Sequence, residues 1–98
     1  MTKARITINK TKNGEFELWM NPEGRDLFIS ELMKLNRCND HFHVGYQFPV
    51  EVSSIPYRSD DEIIEWGKVY LRYDDWDKKH FPHVMKWEKW DPSDPIID

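Results

Sequence analysis

The stretch Ala4-Arg5-Ile6-Thr7-Ile8-Asn9-Lys10-Thr11-Lys12-Asn13-Gly14-Glu15-Phe16-Glu17-Leu18-Trp19-Met20-Asn21-Pro22-Glu23 decides the fold. Ala4, Ile6 and Ile8 alternate with Arg5, Thr7 and Asn9, the period-two pattern of a strand with one buried face. Phe16, Leu18 and Met20 repeat it. Between them Asn13-Gly14 supplies the positive φ angles of a tight hairpin turn. Asn21-Pro22-Glu23 then sets a capping side chain, a proline at the first helical position and an acid near the positive end of the helix dipole. The chain therefore turns from an antiparallel hairpin straight into a helix.

Downstream, Phe28, Leu32 and Leu35 recur at helical spacing, flanked by Ile29 and Met33, while Arg25, Glu31 and Lys34 are expected to look outward. Arg37-Cys38-Asn39-Asp40 breaks the pattern with turn-forming side chains. His41 to Tyr46 alternates again, with Phe42, Val44 and Tyr46 on one face and both histidines on the other. Val50 and Val52 offer a short further strand, confined by Pro49 and Pro56 to an edge or a loop. After the acidic turn Ser59 to Glu62, Gly67 to Tyr73 sets Val69, Leu71 and Tyr73 against Lys68, Tyr70 and Arg72, a strand inside the sheet. From Asp74 onward no clean period remains. Asp75 or Pro82 can each open a short helix, and Met85, Trp87 and Trp90 are expected to lie back on the sheet. The expected fold is α+β: a mainly antiparallel sheet of four to five strands with one main helix on one face. Residues 1–90 form one domain in this reading, and residues 91–98 a flexible tail.

The 98 residues carry a net charge of −4, with a third of them charged, which argues for a soluble surface and against a phosphate-bearing partner such as nucleic acid. Five Trp, five Phe and four Tyr supply much of the apolar area. The single cysteine, Cys38, has no internal disulfide partner, and neither a signal-peptide h-region nor a membrane-length apolar run is present in the sequence. The expected location is the cytoplasm.

Two constellations stand out chemically. Asp40-His41-Phe42-His43 puts two imidazoles on one side of a strand, and His80 and His83 can add further ligands, so a small metal-dependent enzyme is one reading. Against it stands the structural alternative, two sheet histidines held by hydrogen bonds, and the expectation here is no metal and no cofactor. Asp60, Asp61, Glu62 and Glu65, and then Asp74, Asp75 and Asp77, form two acidic clusters on turns expected to be exposed. They lack the spacing of a calcium loop and suit a basic protein partner. Trp76 sits among them as a candidate anchor. Trp19 is expected on the far face of the sheet with Tyr70 and the histidines. No P-loop, dinucleotide glycine pattern, Cys-x-x-Cys or nucleophile elbow occurs, and Cys38 beside Arg37 is a turn residue. The sequence gives no case for an enzyme.

The run Asn21-Pro22-Glu23-Gly24, then Leu27, Leu32 and Leu35, then Asp40-His41-Phe42-His43-Val44, resembles a small immunity-protein family of bacterial polymorphic toxin systems. In that family an Asn-x-Glu-Gly start leads into a Leu-rich helix and then Asp-His-x-His. The resemblance spans about residues 15–46. It implies a protein that binds and masks a cognate toxin without catalysis. A homodimer whose aromatic sheet face is the dimer surface is the third reading.

Overall fold

The computed structural model describes residues 3–46, 48–86 and Ser93. The elements run β1 (Ile6–Lys10), β2 (Phe16–Met20), α1 (Pro22–Met33), β3 (His41–Gly45), β4 (Val50–Glu51), β5 (Glu62–Ile63), β6 (Gly67–Tyr70) and α2 (Asp74–His80), followed by a 3-10 turn over Pro82–Lys86. The chain is α+β and mostly antiparallel. Among the described residues six strands form two three-stranded sheets, ordered β2-β1-β5 and β4-β3-β6, in place of the single sheet expected. One pairing, β3 with β4, is parallel. The Ser53 amide donates to the Ile6 carbonyl at 2.7 Å and ties the chain leaving β4 to β1.

The hairpin forms as the sequence requires. Ile6 pairs with Met20 and Lys10 with Phe16, and Gly14, at φ +89°, completes the turn. Asn21 then does three things at once. Its Oδ1 accepts from the Gly24 amide at 2.7 Å, capping α1, and from the Arg5 amide at 2.9 Å, while its Nδ2 donates to the Lys3 carbonyl at 2.8 Å. The helix start is thereby latched to the extended segment, Lys3 to Arg5, that leads into β1. At the other end of α1, Asn36 Oδ1 accepts from the Cys38 and Asn39 amides and folds the chain back toward β3.

Ile6, Ile8, Phe42, Val44, Val50 and Val52 make the buried core, with Leu18, Leu27, Phe28, Leu35, Ile64 and Val69 packed against it. Thus β4, two residues long, brings Val50 and its neighbour Val52 fully into the core. The helix meets the core through Phe28 and Leu35 as expected, but its face is rotated away from Leu32. Leu32 is 41% exposed, and Ile29 and Met33 are exposed as well, while the Glu31 side chain turns inward and pairs with Lys34. The reason lies in the first turn: Gly24 is buried against β1, where a Cβ would stand 2.4 Å from the Arg5 carbonyl oxygen. Because side chains recur on one helix face every three or four residues, Gly24 at the contact brings Leu27, Phe28, Glu31 and Leu35 inward. Phe28 meets Phe42 edge to face at 5.7 Å.

The second face of the hairpin is also covered, contrary to a one-sided strand. Thr7 and Asn9 are buried. Phe16 and Met20, expected inward, are exposed instead. The segment between β4 and β5 folds over Thr7 and Asn9: Tyr57 stacks on Trp19 at 4.1 Å, and the Arg58 guanidinium pairs with Glu17 and, at 3.4 Å, with Asp61. Trp19 therefore lies with Tyr57 and Arg58, apart from Tyr70 and the histidines. The stretch read as an acidic turn ends in a strand, since Glu62 and Ile63 pair with Lys10 and Asn9 of β1. No helix among the described residues is long and apolar enough to cross a membrane. Trp87, Trp90 and the tail from residue 91, apart from Ser93, lie outside the described residues.

Candidate partner-binding face

Alternation along β3 and β6 builds the site. Phe42, Val44 and Val69 turn into the core, so His41 and His43, opposite Tyr70 and Lys68, stand on the outer face of the second sheet. Their rings form a continuous line. Trp66 meets Phe48 at 5.8 Å, Phe48 meets His43 at 5.3 Å, His43 meets His41 at 5.3 Å, and His41 stacks on Tyr70 at 5.1 Å. The line continues through the Arg72 guanidinium, 4.7 Å from the Tyr70 ring and 4.5 Å from the Trp76 ring, to His80, 4.3 Å beyond Trp76. No described element covers it: Trp66 remains 60% exposed and Tyr70 48%.

Several rings are held in place. Trp66 lies across the backbone of Gly45, where a Cβ would come within 2.7 Å of its Cε3. Asp40 accepts from Arg72 with one carboxylate oxygen and contacts His41 Nδ1 at 2.8 Å with the other. The hydrogen bond to His41, together with that from Arg72, holds the Asp40 carboxyl below the ordinary carboxylate range. Arg37 lies over the Tyr73 ring at 3.8 Å and bonds both oxygens of Asp75, which lowers the Asp75 pKa.

In chain order the acidic residues singled out in the sequence flank β6. Glu62 and Glu65 come before its first residue, and Asp74, Asp75 and Asp77 follow its last, in the first turn of α2 beside Trp76. Asp60, Glu62, Glu65, Asp74 and Asp75 are exposed as expected. Asp61 is not: its side chain is 2% exposed under Arg58, so it is a structural residue of the loop. Beside Trp66 a groove of about 670 Å³ opens, walled by Tyr46, Ile55 and Trp66 and edged by Arg5, Glu51 and Glu65.

The four histidines are not gathered into one set. His41 and His43 neighbour each other on β3, whereas His80 rests on Trp76 and His83 stands edge-on to Phe81 at 6.2 Å. Among the described residues no group of three or more His, Cys, Asp or Glu is placed to hold a metal ion. Cys38 is exposed, and the guanidinium of its neighbour Arg37 is engaged by Asp75 and Tyr73.

Trp66 and Phe48 are the site residues that periodicity overlooked. Trp66 has the same parity as Lys68, Tyr70 and Arg72, so extending that alternation two residues back places it on the outer face. Phe48 follows the end of β3 and carries no such signal. The sequence matches no protein-family model and no curated protein, and the fold matches no solved structure.

Proposed function

We propose that this chain is an immunity-type binding protein that recognises a basic protein toxin and neutralises it by occupation, with no bond made or broken. The observation that carries the reading is the strip from Trp66 through His41 and Tyr70 to Trp76, uncovered among the described residues, with Glu65 next to Trp66 in the chain and Asp74, Asp75 and Asp77 around Trp76. Aromatic rings and Arg at the centre with charge at the rim is the usual anatomy of a protein interface. Acidic rims steer cationic partners, and a cationic surface is what a toxin acting on nucleic acid presents.

The residues that carry the family resemblance support the scaffold more than the binding. Asn21 and Gly24 fix α1 to β1, and Asp40 organises His41 and Arg72. Binding then falls to the strip itself. Kinetics against a toxin encoded beside this gene test this, and the absence of any such toxin gene rejects the immunity reading itself. Trp66→Ala and Tyr70→Ala, which remove central rings, raise the off-rate by about ten-fold or more. Glu62→Lys, Glu65→Lys and Asp74→Lys together lower the on-rate by about ten-fold at low salt, with the difference fading as salt rises. Unchanged rates in both sets, in proteins shown to be folded, reject this face. Asp61→Lys is unsuitable for the purpose because it dismantles the loop around Arg58.

A further inference from the structure

The edge of β6 away from β3 receives no further strand among the described residues. The Leu71 amide donates to the Asp40 carbonyl at 2.8 Å, directly across the ladder in the β3–β6 register. In an antiparallel ladder bonded and non-bonded pairs alternate, so Phe42 with Val69 and Val44 with Gly67 are also bonded pairs. His41 with Tyr70 and His43 with Lys68 are the non-bonded ones. The backbone N–H and C=O groups of Lys68 and Tyr70 therefore point away from β3, at the edge of a sheet whose order ends in β6. No backbone hydrogen bond among the described residues receives them. Both residues are exposed, and α2 packs on the 82–86 turn instead of along this strand.

Unpaired strand edges are templates for another strand. The side chains decide which one. On the outer face the order is Trp66, Lys68, Tyr70, Arg72, ring and cation in alternation. We propose that β6 pairs antiparallel with β6 of a second copy, about a two-fold axis through Val69, so that two three-stranded sheets become one continuous sheet. In that register Lys68 stands opposite the second copy's Tyr70, and Trp66 opposite the second copy's Arg72. Every cross-strand pair on the outer face is then a cation with a ring. Moving the axis to Lys68 sets that lysine against its own image, and moving it to Tyr70 sets Lys68 against the second copy's Arg72. Both alternatives oppose like charges, and an axis at Gly67 or Leu71 lies at or beyond an end of β6 and leaves half of the strand unpaired, so overlap and charge together favour the axis at Val69. The contact is isologous and closes at two copies. Lys68 enters it with no ion-pair partner among the described residues of its own chain. The outer faces of the two copies remain open on the joined sheet, so Trp66 and Tyr70, flanked across the seam by cations of the second copy, still face outward.

Sedimentation of the full chain across micromolar to millimolar concentration tests the pairing. A mass of twice 11.9 kDa at the upper end is expected. Tyr70→Lys, which opposes lysine to lysine twice, weakens the dimer about ten-fold or more, and adding Lys68→Tyr to it restores the dimer because ring and cation merely exchange places. Hydrogen exchange on the unmodified chain gives an independent reading: the Lys68 and Tyr70 amides gain protection as concentration rises, while those of Val69 and Leu71 are protected throughout. A monomer at every concentration, a dimer indifferent to Tyr70→Lys, failure of the double exchange to restore it, or concentration-independent exchange at Lys68 and Tyr70 would each overturn the proposal. A monomer that still binds the toxin leaves the binding reading intact.

Discussion

Replacing Gly24 by Ala tests the contact that sets the phase of α1. In an open helix this change stabilises by about 0.5–1 kcal/mol, because glycine loses the most backbone entropy on folding. Here the added Cβ would stand 2.4 Å from the Arg5 carbonyl oxygen, 2.9 Å from Ile6 Cγ1 and 3.0 Å from Asn21 Oδ1. The first of these is backbone at the start of a paired strand and cannot rotate away. Ordinary contact begins near 3.4 Å, so helix and strand must part by about 1 Å at this point. Overpacking of this kind costs about 1–3 kcal/mol. The same movement stretches the two hydrogen bonds between the Asn21 side chain and the backbone of Arg5 and Lys3, each worth about 0.5–1.5 kcal/mol. After the helix-propensity gain is subtracted, Gly24→Ala destabilises by about 1–3 kcal/mol. For a chain of this size that is a fall in melting temperature of about 5–20 °C. Urea and thermal unfolding followed by far-UV circular dichroism measure it. A variant as stable as the parent, or more so, would refute the close approach of α1 to β1.

Phe28→Ala is expected to cost about 2–3 kcal/mol and Leu32→Ala under about 1 kcal/mol, since Phe28 faces Phe42 and Leu32 is largely in solvent. Equal losses in chemical denaturation would show that the helix face is misassigned. Arg58→Ala leaves the nearly buried Asp61 carboxylate without its guanidinium, a loss of about 1–3 kcal/mol, and frees Tyr57 from Trp19. Unchanged tryptophan fluorescence and an unchanged urea midpoint count against the clamp. Hydrogen bonds from Asn9 to Glu17, His41 to Asp40 and Arg37 to Asp75 lower all three carboxyl pKa values, so the stability they contribute is present above their unfolded values and lost as pH falls through the lower folded ones. Urea midpoints should therefore decline as pH drops below about 4.5. In Asp40→Asn part of that decline disappears, and a midpoint that rises on acidification contradicts the assignment.

What could be read from the sequence is what local chemistry determines. The hairpin, the cap at Asn21 and the outward placing of His41, His43, Lys68, Tyr70 and Arg72 all follow from spacing or from a single residue's preference. The phase of α1 does not, because Ile29, Leu32 and Met33 are as apolar as Leu27 and Phe28. Only the approach of Gly24 to Arg5 separates the two faces, and that distance is a tertiary quantity. The burial of Thr7 and Asn9 was hidden for a similar reason. It depends on Arg58 reaching Glu17, 41 residues away, and on Tyr57 meeting Trp19. Asp61 looked like every other turn acid until that contact gave it a partner.

The candidate face lies on the second sheet for a related physical reason. Both sheets carry rings and charges on the side away from the core. On the first, the 53–61 segment supplies Tyr57 and Arg58 and closes over Trp19 and Glu17, so those rings are spent on folding. On the second, the described chain supplies no such cover, yet the groups are still ordered: Asp40 fixes His41 and Arg72, Arg72 lies against Tyr70 and Trp76, and Gly45 seats Trp66. Side chains already restrained in the free protein lose less rotamer freedom when a partner arrives. An exposed but ordered row of rings is thus suited to binding in a way that a merely exposed one is not. Asp40→Ala should leave every ring in place in the sequence and still weaken binding, by releasing His41 and Arg72 together. Toxin affinity and the line widths of the His41 and Tyr70 ring resonances measure the two halves of that statement. Full affinity with mobile rings would mean that order on this face is irrelevant to recognition.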